Sequence, residues 1–230
     1  MISKQVTYLE NFVTDRRKDL IRRIADNRTR YITVVLEDIY QSQNASAVLR
    51  SCDCFGIQDV HIIDNHNHFE INPDVTKGSN KWLTLSKYAY DANNSITAIN
   101  ELRNKGYRIV ATLPRHMNTA IEEFDLEAGK FALFFGNEHR GLSRTMIDSA
   151  DEFIRIPMVG FTQSLNISVS AAIILYQMTS KIRNSSLDWQ LTRDEKEELK
   201  LSWLKKSLRK PEIILREFLI KSSKNQQIDN

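Results

Sequence analysis

Glycines and a carboxylate follow an apolar run at residues 131–135, an arrangement typical of a ligand-binding loop. The run FALFF leads abruptly into a segment that contains Gly136, Glu138 and Gly141. Ligands of open α/β sheets bind at the carboxyl ends of strands, so this loop is a candidate ligand-binding loop. The glycines have two interpretations of equal weight: they let the backbone approach a ligand closely, or they permit a positive φ in a tight turn.

Two further segments place polar residues at predicted helices. In the first, Asn44 is a candidate helix cap, Arg50 lies in the second turn and Gly56 is placed to end the helix. In the second, Ser164 or Asn166 is placed to cap a helix rich in small and apolar residues. Taken one at a time, these features predict only a cap, an exposed arginine and a well-packed helix with a polar start.

The elements that would position these residues alternate along the middle of the chain. Short β-branched or aromatic runs are separated by longer helix-like stretches, which is typical of an α/β fold with a mostly parallel sheet and helices on both faces. The predicted strands cover residues 32–36, 59–63, 107–113, 131–135 and 152–156. The predicted helices between them cover residues 45–55, 95–105, 143–149 and 167–182.

Helical extensions are predicted on both sides of this core. A single helix over residues 4–25 is expected before it, and residues 192–221 are expected to form two helices interrupted before Pro211. The expected organisation is therefore an amino-terminal extension, an α/β domain and a carboxy-terminal extension, with bounds at residues 1–30, 31–183 and 184–230.

Basic residues are concentrated in these extensions, although the net charge of the chain is only +3. Clusters of this kind bind the phosphate backbone of nucleic acids, and they also form ordinary solvated helix faces. The candidate RNA-binding residues are Arg16, Arg17, Arg22, Arg23, Lys205, Lys206, Arg209 and Lys210.

The composition restricts the class of protein. A hydrophobic fraction of 41% with 27% charged residues is typical of a globular protein, and no apolar run approaches the roughly 20 residues that span a bilayer. The amino terminus lacks the apolar core of a signal peptide, so a cytoplasmic protein without a membrane partner is expected.

Cys52 and Cys54 are expected to be buried packing residues without a disulfide between them. His66 and His68 lack further ligands at suitable spacing, so no metal site is expected.

Several enzyme classes are excluded by the absence of their motifs. The apolar run at residues 32–36 is followed by EDIYQSQN and not by the glycine-rich loop of a Rossmann-type methyltransferase. Neither the G-x-S-x-G motif of serine hydrolases nor the G-x-x-x-x-G-K-[ST] motif of P-loop nucleotide hydrolases occurs.

The three segments together closely resemble the motifs of SpoU-type RNA 2'-O-ribose methyltransferases, which belong to the SPOUT class. They read N-x5-R-x5-G from Asn44, FFGNExxGLS from Phe134 and IPMxGxxxSLNISVSAA from Ile156, in the order found in that family. The resemblance extends over residues 30–180. It implies an α/β sheet whose carboxy-terminal part is threaded into a trefoil knot. It also implies a homodimer whose catalytic pocket takes residues from both subunits.

The resemblance further implies S-adenosylmethionine as the cofactor, held in a bent conformation by loops at the knot. Backbone groups would contact the adenine, and apolar side chains would pack against it. The residues implied to form this site are Thr112, Gly136, Ile156, Ser164, Leu165 and Asn166.

Methyl transfer to a ribose requires that the 2'-hydroxyl be oriented and that its proton be removed. By resemblance, Arg50 is the central catalytic residue, supported by Asn44, Glu138, Ser164 and Asn166. An arginine is a poor base because its pKa exceeds about 12. Two roles therefore stay open: Arg50 is deprotonated in a special site, or it grips the ribose phosphate while another oxygen accepts the proton.

The extensions favour tRNA as the substrate. Residues 1–30 are too few for the separate RNA-binding domain of many rRNA-directed relatives, and the layout resembles that of enzymes that methylate guanosine 18 in the D-loop of tRNA. A 23S rRNA ribose or another tRNA position is the alternative within this class. A non-catalytic RNA-binding protein is the alternative from a different class, and the presence of Arg50 counts against it. The chain departs from the family at two places: Ser42–Gln43 stands where the family often has Pro-His or similar, and His139 stands where Gly or Lys is frequent.

Overall fold

The computed structural model describes residues 1–90, 93–114 and 119–228. The chain divides into two compact units: Met1–Arg28 together with the chain from Gln190 onwards, and Thr29–Trp189. The strands all belong to the second and larger unit. They are β1 (Ile32–Glu37), β2 (Asp59–Ile63), β3 (Thr84–Tyr88), β4 (Arg108–Thr112), β5 (Thr119–Ala120), β6 (Phe131–Phe135) and β7 (Glu152–Arg155).

These strands form one parallel sheet in the order β3-β2-β1-β6-β4-β7-β5. Every residue of β1 and β6, the neighbouring strands at its centre, is buried. A parallel sheet that is covered on both faces requires continuous apolar strands, which is why these two runs do not alternate with polar residues. The predicted α/β fold is confirmed.

Helices cover both faces of the sheet in the larger unit and form the smaller unit by themselves. Their bounds are α1 (Ile2–Glu10), α2 (Asp15–Asp26), α3 (Ser42–Phe55), α4 (Pro73–Thr76), α5 (Asn94–Asn104), α6 (Arg144–Ser149), α7 (Ile167–Arg183), α8 (Arg193–Ser207) and α9 (Pro211–Ile228), with a 3₁₀ turn at Ser79–Lys81.

Two buried clusters hold the layers of the larger unit together. On one face, Leu133 of β6 belongs to a cluster with Leu49 of α3 and Ile174 of α7. On the other face, Phe134 belongs to a cluster with Ile99 of α5 and with α6 residues. Successive residues of a strand point to opposite faces, so one apolar run supplies both clusters.

In the smaller unit, the predicted break before Pro211 is confirmed, since this residue begins α9. The single helix predicted over residues 4–25 is wrong. The chain leaves the helix after Glu10 and starts α2 at Asp15, where the Thr14 hydroxyl accepts a hydrogen bond from the Arg17 amide at 3.3 Å. A threonine that caps its own helix explains why two helices form here.

The cysteine prediction is correct in part. Cys52 and Cys54 are both free thiols, as expected from their spacing. Cys52 is buried, whereas Cys54 is exposed, so the expectation of a packing role is wrong for Cys54.

His61 is a buried titratable residue in β2, with 4% of its surface exposed. Its Nδ1 lies 3.0 Å from the Tyr88 hydroxyl, which donates to Glu101 at 2.9 Å. Burial lowers the pKa of His61 from 6.5 to about 4, and the nearby Lys105 adds to this shift. The neutral imidazole is therefore the form that the fold stabilises.

We expect acidification to weaken the fold through His61. The folded pKa lies below the unfolded value, so this contribution is present above pH 6.5 and is lost as the pH falls toward 4. From pH 7 to pH 5, the wild-type free energy of unfolding should fall by about 2 kcal/mol more than that of His61→Gln. Urea unfolding of both proteins at the two pH values measures the difference, and equal losses would contradict the assignment.

Candidate active site

A cavity of about 460 Å³ opens at the carboxyl ends of β4, β6 and β7. Thr112 ends β4, Gly136 follows β6 and Ile156 follows β7, and the segment before α7 closes the remaining side. All the residues proposed for cofactor binding line this cavity: Thr112, Gly136, Ile156, Ser164, Leu165 and Asn166.

The lining combines apolar side chains with polar groups at the rim. Leu113 and Ile174 contribute apolar surface, whereas Glu138 and Asn166 contribute a carboxylate and an amide. The Thr112 hydroxyl donates to the Phe134 carbonyl at 2.8 Å and so ties the end of β4 to β6. A concave site of this size that combines apolar surface with directed polar groups is typical of a small-molecule or cofactor site.

Glu138 is the centre of a hydrogen-bond network beside the cavity. Its carboxylate accepts from the backbone amides of Tyr40 and Gln41 at 2.9 and 3.4 Å and from Asn44 Nδ2 at 2.8 Å. Burial raises the pKa of Glu138, but the hydrogen bonds from Asn44, Tyr40 and Gln41 more than offset this, and the net shift is downward. Glu138 is therefore held as a carboxylate.

Asn44 and Asn166 extend this network. Asn166 Nδ2 donates to Asn44 Oδ1 at 3.2 Å, and Asn166 Oδ1 accepts from the Ser168 amide at 2.8 Å and so caps α7. Of the two predicted caps of α7, Asn166 is the one observed. The prediction that Asn44 caps α3 is wrong, because the helix begins at Ser42 and its cap position is Gln41. Asn44 lies inside the first turn, where its side chain reaches Glu138.

Arg50 stands apart from this network within a single chain. It lies six residues beyond Asn44 on α3, which is about 9 Å along the helix axis. Because α3 begins at Ser42, Arg50 lies in the third turn of the helix and not in the predicted second turn. The side chain is exposed, does not line the cavity, and makes no hydrogen bond or ion pair to the residues that the structure describes. The fold thus brings Asn44, Glu138, Ser164 and Asn166 to one site and leaves Arg50 outside it.

The two glycines that follow β6 are each needed, but for different structural reasons. Gly141 has a φ of +71° and closes a tight turn with Asn137, through amide-to-carbonyl hydrogen bonds of 2.8 and 3.0 Å. Gly136 has no positive φ, but a Cβ there would lie 2.6 Å from the Gly141 carbonyl oxygen and closer still to the Leu142 amide nitrogen. Gly141 therefore permits the turn, and Gly136 permits a close approach between two parts of the loop.

Gly136→Ala should destabilise the larger unit by about 2 kcal/mol, because the loop must move to admit the methyl group. The same displacement should weaken ligand binding in the cavity. Gly160→Ala is the matched control, since a Cβ at Gly160 meets nothing within 4 Å. Urea unfolding measures the effect, and similar free energies of unfolding for the two variants would show that the loop is not tightly packed at Gly136.

Sequence reasoning missed two residues that shape the site. Asp38 adopts a positive φ of +52° directly after β1. Asn137 Nδ2 donates to the Asp38 carbonyl at 2.7 Å, and its Oδ1 accepts from the amides of His139 and Arg140. The sequence signal that could have identified Asn137 was an asparagine between Gly136 and Glu138, since asparagine side chains commonly stabilise tight turns.

The family departures noted in the sequence are neighbours of the Glu138 network and do not line the cavity. Ser42 is the first residue of α3, and Gln43 is exposed. The His139 ring packs edge-on against Tyr40, with 5.3 Å between ring centroids, and the Tyr40 side chain is 61% exposed. The departures thus change the rim of the site and leave the Glu138 network in place.

The proposed RNA-binding residues all belong to the smaller unit. Most of them are exposed, and Lys205 is half-buried. Arg22 is held by Glu10 through both carboxylate oxygens, at 2.6 and 3.0 Å, and this pair raises the pKa of Arg22. The Arg22 charge is therefore partly neutralised, which makes it the weakest candidate of the group.

Metal and membrane features are both missing from the part of the chain that the structure describes. Over residues 1–90, 93–114 and 119–228, no three His, Cys, Asp or Glu side chains are grouped so that they could hold a metal ion. Over the same residues, no helix is both long and apolar enough to cross a bilayer.

A parallel sheet with helices on both faces, and a cavity where its central strands end, defines an α/β protein with a candidate ligand site at the carboxyl edge of its sheet. The chain belongs to the SpoU rRNA Methylase family, whose model matches residues 31–176. The match includes the Glu138 network and the cavity-lining residues up to Ile174, and it confirms the resemblance found in the sequence.

Similar proteins are known over most of the chain. A tRNA (guanosine(18)-2'-O)-methyltransferase of Borreliella burgdorferi is 42% identical over 213 residues, which are 93% of this chain and 95% of the relative. A protein of the same name from Aquifex aeolicus is 32% identical over 170 residues, 74% of this chain and 78% of that one. The crystal structure of an A. aeolicus TrmH/SpoU tRNA modifying enzyme has a TM-score of 0.73 at 28% identity and covers 85% of this chain and 98% of its own.

Proposed function

We propose that this protein is an S-adenosylmethionine-dependent RNA 2'-O-ribose methyltransferase that modifies guanosine 18 of tRNA in the cytoplasm. The observation that carries the proposal is the network of Glu138, Asn44 and Asn166 at the rim of a cofactor-sized cavity. The substrate follows from the names of relatives that cover most of the chain. The family description names rRNA, so an rRNA ribose is the second candidate.

The cavity residues fit S-adenosylmethionine. Leu113, Ile156 and Leu165 offer apolar surface to an adenine ring, and Asn166 offers a polar group near the start of α7. Glu138 lies at the rim as a carboxylate, which favours a positively charged sulfonium nearby. When bound, S-adenosylmethionine supplies an electrophilic methyl group.

Residues of this chain orient the nucleophile. Asn44 and Asn166 are fixed by each other and by Glu138, so their positions vary little when RNA enters. We assign Ser164 and Asn166 to positioning at the cofactor side of the ribose, and Glu138 to holding Asn44 in place. Arg50 then acts on the ribose 2'-hydroxyl or its phosphate, in either of the two roles that its chemistry allows.

Within a single chain Arg50 is not among the residues that line the cavity, so a second copy of the chain is the source of the arginine in this proposal. We infer a homodimer in which each Arg50 serves the partner's cavity. An apolar stripe on α7 supports this inference: Val169, Ile173 and Tyr176 are exposed at helical spacing, and Phe161 is fully exposed in the preceding loop. A trefoil knot over the carboxy-terminal part of the larger unit belongs to the same proposal.

Ile173→Asp should convert the protein to a monomer and abolish methyl transfer, because a carboxylate would be buried without a partner in the interface. The matched control is Ile96→Asp on α5, where an isoleucine of similar exposure lies outside the stripe. Light scattering after gel filtration gives the mass of each variant. A dimeric Ile173→Asp protein, or a monomer with full activity, would contradict the shared site.

The basic residues of the smaller unit are proposed to contact tRNA, as are the extensions at residues 1–30 and 184–230 that contain them. Arg16, Arg23 and Arg209 are exposed and make no ion pair with other described residues. Free exposed arginines of this kind suit a phosphate backbone.

Calorimetry with S-adenosylhomocysteine, the product form of the cofactor, tests the cofactor part of the proposal. Binding with one site per chain is expected, and no detectable heat with or without tRNA would count heavily against an enzyme.

A tRNA transcript with 2'-deoxyguanosine at position 18 tests the target atom. It should accept no methyl group, whereas undiminished methylation would show that the ribose hydroxyl at that position is not the acceptor.

A further inference from the structure

A second cavity, of about 510 Å³, lies on the other side of the loop that carries Glu138. It opens where β1 and β2 end, and the two cavities share Asn137, Gly141 and Leu142 as a common wall. The function proposed above uses only the first cavity. We refer to the second as the polar cleft, defined by residues 37–38, 65–67, 93–95, 137 and 140–145.

Both carboxylates at the base of the polar cleft accept hydrogen bonds from protein donors. Glu37 accepts from the Ser95 hydroxyl at 2.5 Å and from the amide and hydroxyl of Ser143 at 2.8 and 2.7 Å. One oxygen of Asp38 accepts from the amides of residues 65–67 at 2.7 to 3.3 Å. The Glu37 side chain is buried and presents little negative charge to a ligand, whereas Asp38 is half-buried and three amides neutralise part of its charge.

The exposed side chains of the polar cleft are hydrogen-bond donors and cations. Arg140 is exposed and makes no side-chain hydrogen bond or ion pair to other residues in the described part of the chain. Arg144 is exposed and is engaged only through Nε, by Asp148 at 2.9 Å. Thr145 and His66 add a hydroxyl and an imidazole. Two guanidinium groups beside neutral polar groups match a phosphate with a ribose or base attached.

We propose that the polar cleft binds the RNA nucleotide next to the one that is methylated, with its phosphate on Arg140 and Arg144. This inference rests on the proposed function, because the methylated ribose must lie at the Glu138 side of the shared wall. Arg140 is only two residues from Glu138, so one stretch of backbone would align the target ribose and the neighbouring phosphate. A phosphate held at this point fixes the register of the strand, which places one ribose and not its neighbour at the cofactor.

Arg140→Gln and Arg144→Gln test the cleft, with Lys105→Gln as the matched control. Lys105 is an exposed cation that follows α5 at the amino-terminal edge of the sheet, opposite the cleft. Affinity for unmodified tRNA is measured by filter binding at several salt concentrations. Each cleft variant should bind on the order of 10-fold more weakly, with a salt dependence reduced by about one phosphate contact. Affinity for S-adenosylhomocysteine should not change, and Lys105→Gln should resemble the wild type.

A chemical double-mutant cycle locates the contact. tRNAs with a neutral methylphosphonate at a single linkage near the methylated nucleotide are compared on wild-type protein and on Arg140→Gln. Non-additive losses of affinity are expected at one linkage adjacent to the methylated nucleotide and additive losses elsewhere. Additivity at every linkage, or equal effects of Arg140→Gln and Lys105→Gln, would overturn the cleft assignment.

Failure of the proposed function and failure of the cleft assignment give different experimental results. A wild-type protein that binds tRNA but transfers no methyl group would contradict that function. A wild-type protein that methylates tRNA normally, with cleft variants that bind as the wild type does, would contradict only the inference about the cleft.

Discussion

Arg50→Ala should lower the rate of methyl transfer by at least about 1000-fold while it leaves the affinity for S-adenosylhomocysteine nearly unchanged. The reason is positional: Arg50 lies outside the cofactor cavity of its own chain, and its side chain supports no other described residue. Its removal should therefore leave the fold and the cofactor site intact. Single-turnover methylation of tRNA and calorimetry with S-adenosylhomocysteine measure the two quantities.

Cys54→Ala is the control for Arg50→Ala, because Cys54 is an exposed residue one turn further along α3. It should retain wild-type activity. If Arg50→Ala retained turnover, the assigned role would be refuted. Mixing Arg50→Ala with an inactive cofactor-site variant gives a further test, since heterodimers with one intact shared site should recover part of the activity.

The second large effect is expected for Glu138→Gln. The carboxylate accepts from Tyr40, Gln41 and Asn44, and a glutamine presents one oxygen and one NH₂ group to these donors. At least one donor then loses its acceptor, which costs about 1–3 kcal/mol and weakens the network that holds Asn44. We expect the rate of methyl transfer to fall on the order of 100-fold.

Glu123→Gln is the matched substitution for Glu138→Gln, because Glu123 is an exposed carboxylate outside the cavity. It should behave as the wild type does in single-turnover methylation. A Glu138→Gln protein with the wild-type rate would show that the carboxylate is not needed to hold Asn44.

Much of the fold could be predicted from the sequence because its central strands are buried on both faces. The runs at residues 59–63 and 131–135 were predicted with the bounds that the structure has. The strand β3 at Thr84–Tyr88 was not predicted, because it lies at the edge of the sheet and only Tyr88 is buried. An edge strand needs no continuous apolar run, so periodicity gives little signal for it.

The candidate site was predicted in part, and for a different reason. Thr112, Gly136 and Ser164 lie far apart in the chain, so no local pattern unites them, and their grouping came from the family resemblance. Asn44 lies inside α3 because the helix begins at Ser42, and its contact with Glu138 joins residues 94 positions apart, which local sequence does not predict. The place of Arg50 relative to the cavity likewise depends on packing that a motif does not encode.

The most direct test of the central claim is methyl transfer from labelled S-adenosylmethionine to unmodified tRNA and rRNA transcripts, with nuclease mapping of the product. The account predicts a single 2'-O-methylguanosine, at position 18 in the D-loop of tRNA. Labelling of rRNA alone, or of another tRNA position, would contradict the proposed substrate while keeping the chemistry. The absence of label in every RNA would contradict the proposed activity itself.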